Sequence, residues 1–189
     1  MTDKLYLEAD QLLLDSFELG TRIVESGFEP TLLIAIWRGG VPIGVAVQEL
    51  LEFARIHCDH IAIRTASYRG IGERDSQVQV FGLNYLIKKV TDQDRLLIVD
   101  DVFDTGLTIE AVIAELRRKA RRNTPADIRV AVPYFKPTKN RTDRVPDYYL
   151  HTTDAWLKFP QSLEGLSMEE VAEHRPALLP YVADRRPPR

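Results

Sequence analysis

The stretch that most constrains the fold runs from Arg95 to Thr108, Arg-Leu-Leu-Ile-Val-Asp-Asp-Val-Phe-Asp-Thr-Gly-Leu-Thr. Leu96, Leu97, Ile98 and Val99 form an apolar run without alternation. Such a run predicts a strand covered on both faces, as in a parallel sheet. Two carboxylates follow, Asp100 and Asp101, and then the turn Asp104-Thr105-Gly106-Leu107-Thr108. From Ile109 to Arg122 the apolar positions Ile109, Val112, Ile113 and Leu116 recur at helix spacing.

That order carries chemistry. A turn entering a helix presents free backbone N–H groups and the positive end of the helix dipole. Thr105 and Thr108 add hydroxyl donors, and Gly106 lets the backbone come close. Such a turn suits a phosphate dianion. Asp100 and Asp101 would repel that phosphate if they touched it; they suit the hydroxyls of a vicinal diol, or Mg²⁺. A phosphate at one end and a diol beside it describe a ribose 5-phosphate. Neither Gly-x-x-x-x-Gly-Lys nor Gly-x-Gly-x-x-Gly occurs, which argues against a P-loop and a dinucleotide site. The plain alternative is an ordinary strand–turn–helix with solvated acids; the agreement of several independent features weighs against it.

Three more strands share the pattern. Leu32 to Ile36 is apolar and ends in Trp37-Arg38-Gly39-Gly40, with Pro42 suited to a first helical turn. The Arg38 fork, two glycines and a helix start make a second anion-suited loop. Ile61 to Thr65 leads to Ser67-Tyr68 and then to a polar segment, 69–79, with no periodicity. Ile128 to Val132 leads to Lys136, which belongs at the same C-terminal sheet edge as Asp100. Strands alternating with helices predict an α/β fold with a mostly parallel central sheet flanked by helices. Apolar spacing from Leu5 to Val24 predicts a helix ending near Gly27. Ser167-Met168-Glu169-Glu170 is a capping-box pattern. Composition alone would put Trp156 in the core.

The 189 residues predict one domain, 1–189, with a disordered tail at 184–189 and a small hood built from the N-terminal segment and residues after about Pro146. A net charge of −3 gives no bulk attraction to nucleic acid. The run Arg117, Arg118, Lys119, Arg121, Arg122 reads as a solvated helix end. Cys58 is the single cysteine, so no internal disulfide can form, which fits a reducing cytoplasm. His57 beside it does not make a metal site. No membrane-spanning run or signal peptide is evident.

Val99-Asp100-Asp101-Val102-Phe103-Asp104-Thr105-Gly106-Leu107-Thr108 resembles the phosphoribosyl-pyrophosphate (PRPP) signature of type I phosphoribosyltransferases. The resemblance extends from about Thr31 to Pro160 and is nearest to the purine enzymes. It implies Mg²⁺-dependent transfer of the phosphoribosyl group to a 6-oxopurine (guanine, xanthine or hypoxanthine) in purine salvage, with release of pyrophosphate. By the same resemblance, Asp104 to Thr108 hold the 5-phosphate, Asp100 and Asp101 hold the ribose hydroxyls and Mg²⁺, and Asp104 sits near the purine N7. Arg38 and Gly39 take the pyrophosphate, with Arg38–Gly39 as the place for an unusual cis peptide. Ser67 and Tyr68 stand on a lid. Lys136 meets the 6-oxo group, and Asp154-Ala155-Trp156-Leu157 resembles the purine-stacking segment of the xanthine–guanine type. A cytoplasmic homo-oligomer, dimer or tetramer, is implied, with no membrane partner. The alternatives are a phosphoribosyltransferase for uracil or orotate, a PRPP- or nucleotide-binding regulator, and a receiver-like domain, which the Thr-Gly-Leu-Thr turn argues against.

Overall fold

The computed structural model describes residues 4–68 and 77–182. Most of the polar segment 69–79 and the tail 184–189 therefore lie outside the described residues. The chain divides into two compact units, Asp10–Asp154 and a smaller one built from Met1–Ala9 with Ala155–Arg189.

In the larger unit, β2 (Leu32–Trp37), β3 (Asp59–Tyr68), β4 (Gln77–Phe81), β5 (Arg95–Val99), β6 (Val102–Phe103), β7 (Asp127–Phe135) and β8 (Tyr148–Thr152) form one sheet. Its order is β4-β3-β2-β5-β7, with β6 and β8 both on β7. Every pairing is parallel except β3 with β4. The unalternating apolar runs follow from burial on both faces. Ile34, Ile36, Leu96, Ile98, Val130 and Val132 pack with Ile109, Val112, Ile113 and Leu116 of α4 (Leu107–Ala120) and with Leu86 of α3 (Asn84–Ile87). On the other face, α2 (Gly40–Phe53) brings Gly44 against Leu33 and Ala35, and Gly20 of α1 (Ala9–Glu25) rests on Leu50. Each fully buried Leu or Ile contributes roughly 1.5–3 kcal/mol, so this two-sided core outweighs any loop preference.

One proline shapes the sheet beside the acids. Val99 pairs with Ala131 and Val102 with Tyr134, so β5 and β6 are one strand in continuous register, interrupted at Asp100-Asp101. The Asp100 N–H donates to the Ala131 carbonyl at 3.2 Å. The next rung would need an N–H from Pro133, which has none. The ladder opens there, and the two acids stand at the break. Beyond Pro133 the pleat changes parity: Phe135 joins Val130 and Val132 in the core, while the Tyr134 ring lies tilted against His151, 4.9 Å between centroids.

Two expectations are corrected. Leu5 is not helical: β1 (Lys4–Tyr6) pairs in parallel with β9 (Trp156–Lys158) in the smaller unit, and α1 begins at Ala9. Leu5 fits the helix spacing, but the long-range strand pairing decides. Residues 148–152, assigned from sequence to an appended hood, extend the large sheet as β8.

The smaller unit is closed by α5 (Met168–His174), which starts in the expected capping box of Ser167 and Glu170. The Tyr6 hydroxyl donates to Glu170 at 2.9 Å, and the Tyr6 ring stacks on His174 at 3.7 Å. The buried Arg175 guanidinium donates to the carbonyls of Leu7 at 2.7 Å and Lys158 at 3.3 Å, tying β1 to β9.

Candidate active site

The C-terminal ends of β2, β3 and β5 open into a cleft of about 330 Å³. Arg38, Gly39, Asp100, Asp101, Asp104, Thr105, Gly106 and Thr108 all line it. Eight of the residues singled out in the sequence thus meet in one place.

The loop after β2 reaches the acids by close approach. A Cβ on Gly39 would stand 1.6 Å from Asp101 Oδ2, and one on Gly40 would stand 2.6 Å from the Val99 carbonyl oxygen. Only residues without side chains bring this loop so near β5. The cis peptide lies one bond earlier than expected, at Trp37–Arg38 and not at Arg38–Gly39. The sequence resemblance located the loop; the backbone conformation of the individual bond is set by the surrounding packing.

Asp100 is buried and Asp101 half-buried. Burial first, and then the charge of Asp101, push the Asp100 carboxyl well above the ordinary carboxylate range; burial raises Asp101 too. The Asp101 N–H donates to Asp100 Oδ1 at 3.0 Å. A pair of adjacent buried carboxylates favours a cation or hydroxyl donors between them and the solvent. No group of three or more His, Cys, Asp or Glu that could hold a metal exists among the described residues. Two carboxylates therefore suit Mg²⁺ only as a shared ion completed by water and ligand oxygens, a common manner of binding it.

Opposite the acids, Gly106 caps α4 in the left-handed region, at φ +77°, with no side-chain cap. The Thr105 hydroxyl accepts the Leu107 N–H at 3.4 Å, which leaves its own proton to donate. Leu107 opens the helix and is not itself in the cleft lining. Lys136, buried at the end of β7, directs Nζ to within 3.8 Å of Asp104 Oδ2, and its N–H donates to the Phe103 carbonyl at 2.9 Å. These two residues are 32 positions apart in sequence and become neighbours through the β6–β7 pairing.

The chain matches the phosphoribosyl transferase domain over residues 6–168. It belongs to that family.

Among solved structures, the phosphoribosyl transferase domain is similar to a purine phosphoribosyltransferase from Pyrococcus horikoshii Ot3, with 27% identity and a TM-score of 0.66, over 87% of this chain and 97% of that one. A hypothetical protein from Neisseria gonorrhoeae with bound ppGpp shares 23% identity and a TM-score of 0.70, over 94% and 98%. A Helicobacter pylori xanthine-guanine-hypoxanthine phosphoribosyltransferase shares 17% identity and a TM-score of 0.63, over 84% and 92%. The last two likenesses concern the fold alone. No curated protein matches the sequence.

Within the phosphoribosyl transferase domain, the remaining expected residues belong to other elements. Ser67 and Tyr68 end β3, and their side chains lie outside the described residues. Trp156 and Leu157 lie on β9 of the smaller unit, with Trp156 54% exposed, not in the core as composition alone would have it. Sequence reasoning missed Trp37, Thr65 and Phe103, which also line the cleft. Trp37, 53% exposed at the end of an otherwise buried strand, was the one with a detectable signal. No helix among the described residues is long and apolar enough to cross a membrane.

Proposed function

We propose that this protein transfers the 5-phosphoribosyl group of PRPP to a 6-oxopurine, releasing pyrophosphate. The observation that carries the reading is the single cleft in which two anion-suited loops flank a carboxylate pair, with Lys136 beside Asp104 at its edge. The turn Asp104–Thr108 holds the 5-phosphate on backbone N–H groups and the Thr105 and Thr108 hydroxyls. Asp100 and Asp101 accept hydrogen bonds from the ribose hydroxyls. Asp100 and Asp101 would also be the residues to hold Mg²⁺, which would supply charge neutralisation for the pyrophosphate. The Arg38 guanidinium and the Gly39 backbone bind that pyrophosphate as it leaves.

The bond from ribose C1 to the pyrophosphate oxygen breaks, a bond from C1 to a purine nitrogen forms, and the purine gives up one proton. The rate gain comes from stabilising separated charge in a site that excludes water. Lys136 donates to the 6-oxo group, and Asp104 is placed to receive the purine proton. The family resemblance also assigns Trp156 and Leu157 to the purine, as a stacking ring and a backbone reader of the 2-position. The Pyrococcus horikoshii purine phosphoribosyltransferase, at 27% identity, supports a purine acceptor.

The test is a spectrophotometric assay with PRPP and Mg²⁺, run separately with guanine, xanthine, hypoxanthine, adenine, uracil and orotate. Turnover with a 6-oxopurine, abolished by Asp101→Asn, is expected. Turnover with uracil or orotate alone would replace the acceptor. No turnover with any base, alongside nucleotide binding, would replace the enzyme by a nucleotide-binding regulator.

A further inference from the structure

The N-cap of the phosphate turn, Gly106, has no side chain to cap α4, and its left-handed backbone gives the turn little intrinsic rigidity. What holds it is the segment that follows β7, Asn140-Arg141-Thr142-Asp143-Arg144, which no part of the reading above uses. The Arg141 N–H donates to the Thr105 carbonyl at 3.0 Å. The Thr142 hydroxyl oxygen stands 2.6 Å from where a Cβ on Gly106 would be, so it packs directly on that glycine. Arg144 Nε donates to Glu110 Oε1 at 2.6 Å, and the Glu110 N–H donates to the Gly106 carbonyl at 3.1 Å. The segment therefore touches the turn at its start, at its glycine and one helical turn beyond.

One amide shapes all three contacts. Asn140 Oδ1 accepts the Thr142 N–H and the Thr142 hydroxyl, both at 3.0 Å, and Asn140 Nδ2 donates to the Arg144 carbonyl at 2.8 Å. The side chain thus closes a local turn of the Asx kind and ties both ends of the segment together. We propose that Asn140 is a positioning residue for the 5-phosphate turn, holding residues 140–144 as a brace behind Asp104–Thr108. The inference rests on reading that turn as the phosphate site. Without the amide, Thr142 and the Arg144 carbonyl lose their partner, the brace drifts from Gly106, and the turn relaxes. Anion binding by backbone N–H groups depends on sub-ångström placement.

The experiment measures binding by calorimetry on the full chain, with ribose 5-phosphate and with magnesium pyrophosphate as separate probes, for the wild type, Asn140→Ala and Asn140→Asp. Asn140→Ala is expected to weaken ribose 5-phosphate by about tenfold or more, with pyrophosphate changed less than about twofold. Asn140→Asp keeps the acceptor for Thr142 and loses the donor to Arg144, so it should fall between. In turnover, KM for PRPP should rise more than kcat falls. Unchanged ribose 5-phosphate binding in Asn140→Ala overturns the inference, as does an equal loss of both probes with a collapse of Tm. Wild-type protein that binds no ribose 5-phosphate overturns the site reading and this inference with it. Binding with the expected split but no turnover with any base removes the enzyme and leaves the brace standing.

Discussion

Gly39→Ala tests whether the loop after β2 and the acid pair form one rigid unit. The added methyl would stand 1.6 Å from Asp101 Oδ2, 2.3 Å from Cγ and 2.9 Å from Cβ. A carbon–oxygen contact needs roughly 3.3 Å, so the carboxylate or the loop must shift by well over an ångström. Turning Asp101 off its rotamer costs about 0.5–1.5 kcal/mol, which in a chain of this size lowers Tm by roughly 1–6 °C. Activity should suffer far more, because a 1 Å misplacement of a positioning group costs about 100-fold, or about 2.7 kcal/mol in the barrier. The assay pairs kcat/KM for PRPP with thermal unfolding. Gly27→Ala is the control: its φ of +73° strains the backbone, yet nothing lies within 4 Å of the new methyl. It should cost roughly 1–2 kcal/mol of stability with no change in kcat/KM. In an Asp101→Gly background the Gly39→Ala stability penalty should vanish, since the clashing carboxylate is gone. The reasoning is refuted if Gly39→Ala keeps kcat/KM within about threefold, or if its stability penalty persists without the Asp101 side chain.

Three further outcomes are expected. Asp104→Asn should lower kcat more than it weakens PRPP binding; equal losses would count against a proton-accepting role. Burial, with Glu52 and Asp59 adding to it, pushes the Cys58 thiol up to about 11, so native protein should alkylate with iodoacetamide at pH 8 about 100-fold more slowly than protein unfolded in urea. Because the folded thiol holds its proton more tightly, that stabilisation is complete below about pH 9 and is lost as pH rises toward 11; a Tm that is flat across this window in wild type but not in Cys58→Ala would contradict it. Arg175→Met removes a buried guanidinium that ties the Leu7 and Lys158 carbonyls, and should cost about 2–3 kcal/mol, read as faster amide exchange at residues 4–7 and 156–158. Unchanged exchange there would show that β1 and β9 hold together without it.

Features written in adjacent residues are legible in the sequence. The buried strand at Leu96–Val99, the acids after it, the glycine turn that opens α4 and the Ser167–Glu170 capping box depend on periodicity and on hydrogen bonds within a few residues. The Arg38-Gly39 loop stands out only beside the Asp100–Thr108 motif, since two glycines before a helix by themselves fit a plain strand-to-helix turn. The helix was read correctly except at its start: spacing of three and four at Leu5 also fits a three-residue strand, and only Trp156–Lys158, far along the chain, decides between them.

Short-range sterics and the helix dipole act where they are encoded, so the α/β alternation, the position of the acids and the glycine turn that opens α4 follow from local sequence. The break at Asp100-Asp101 follows instead from strand register, since the missing N–H belongs to Pro133 on a neighbouring strand. Register and packing likewise bring Lys136 to Asp104, Trp37 and Thr65 into the cleft, and Thr142 against Gly106. Those contacts link residues tens of positions apart, and their geometry is set by strand register and packing, which no local pattern carries.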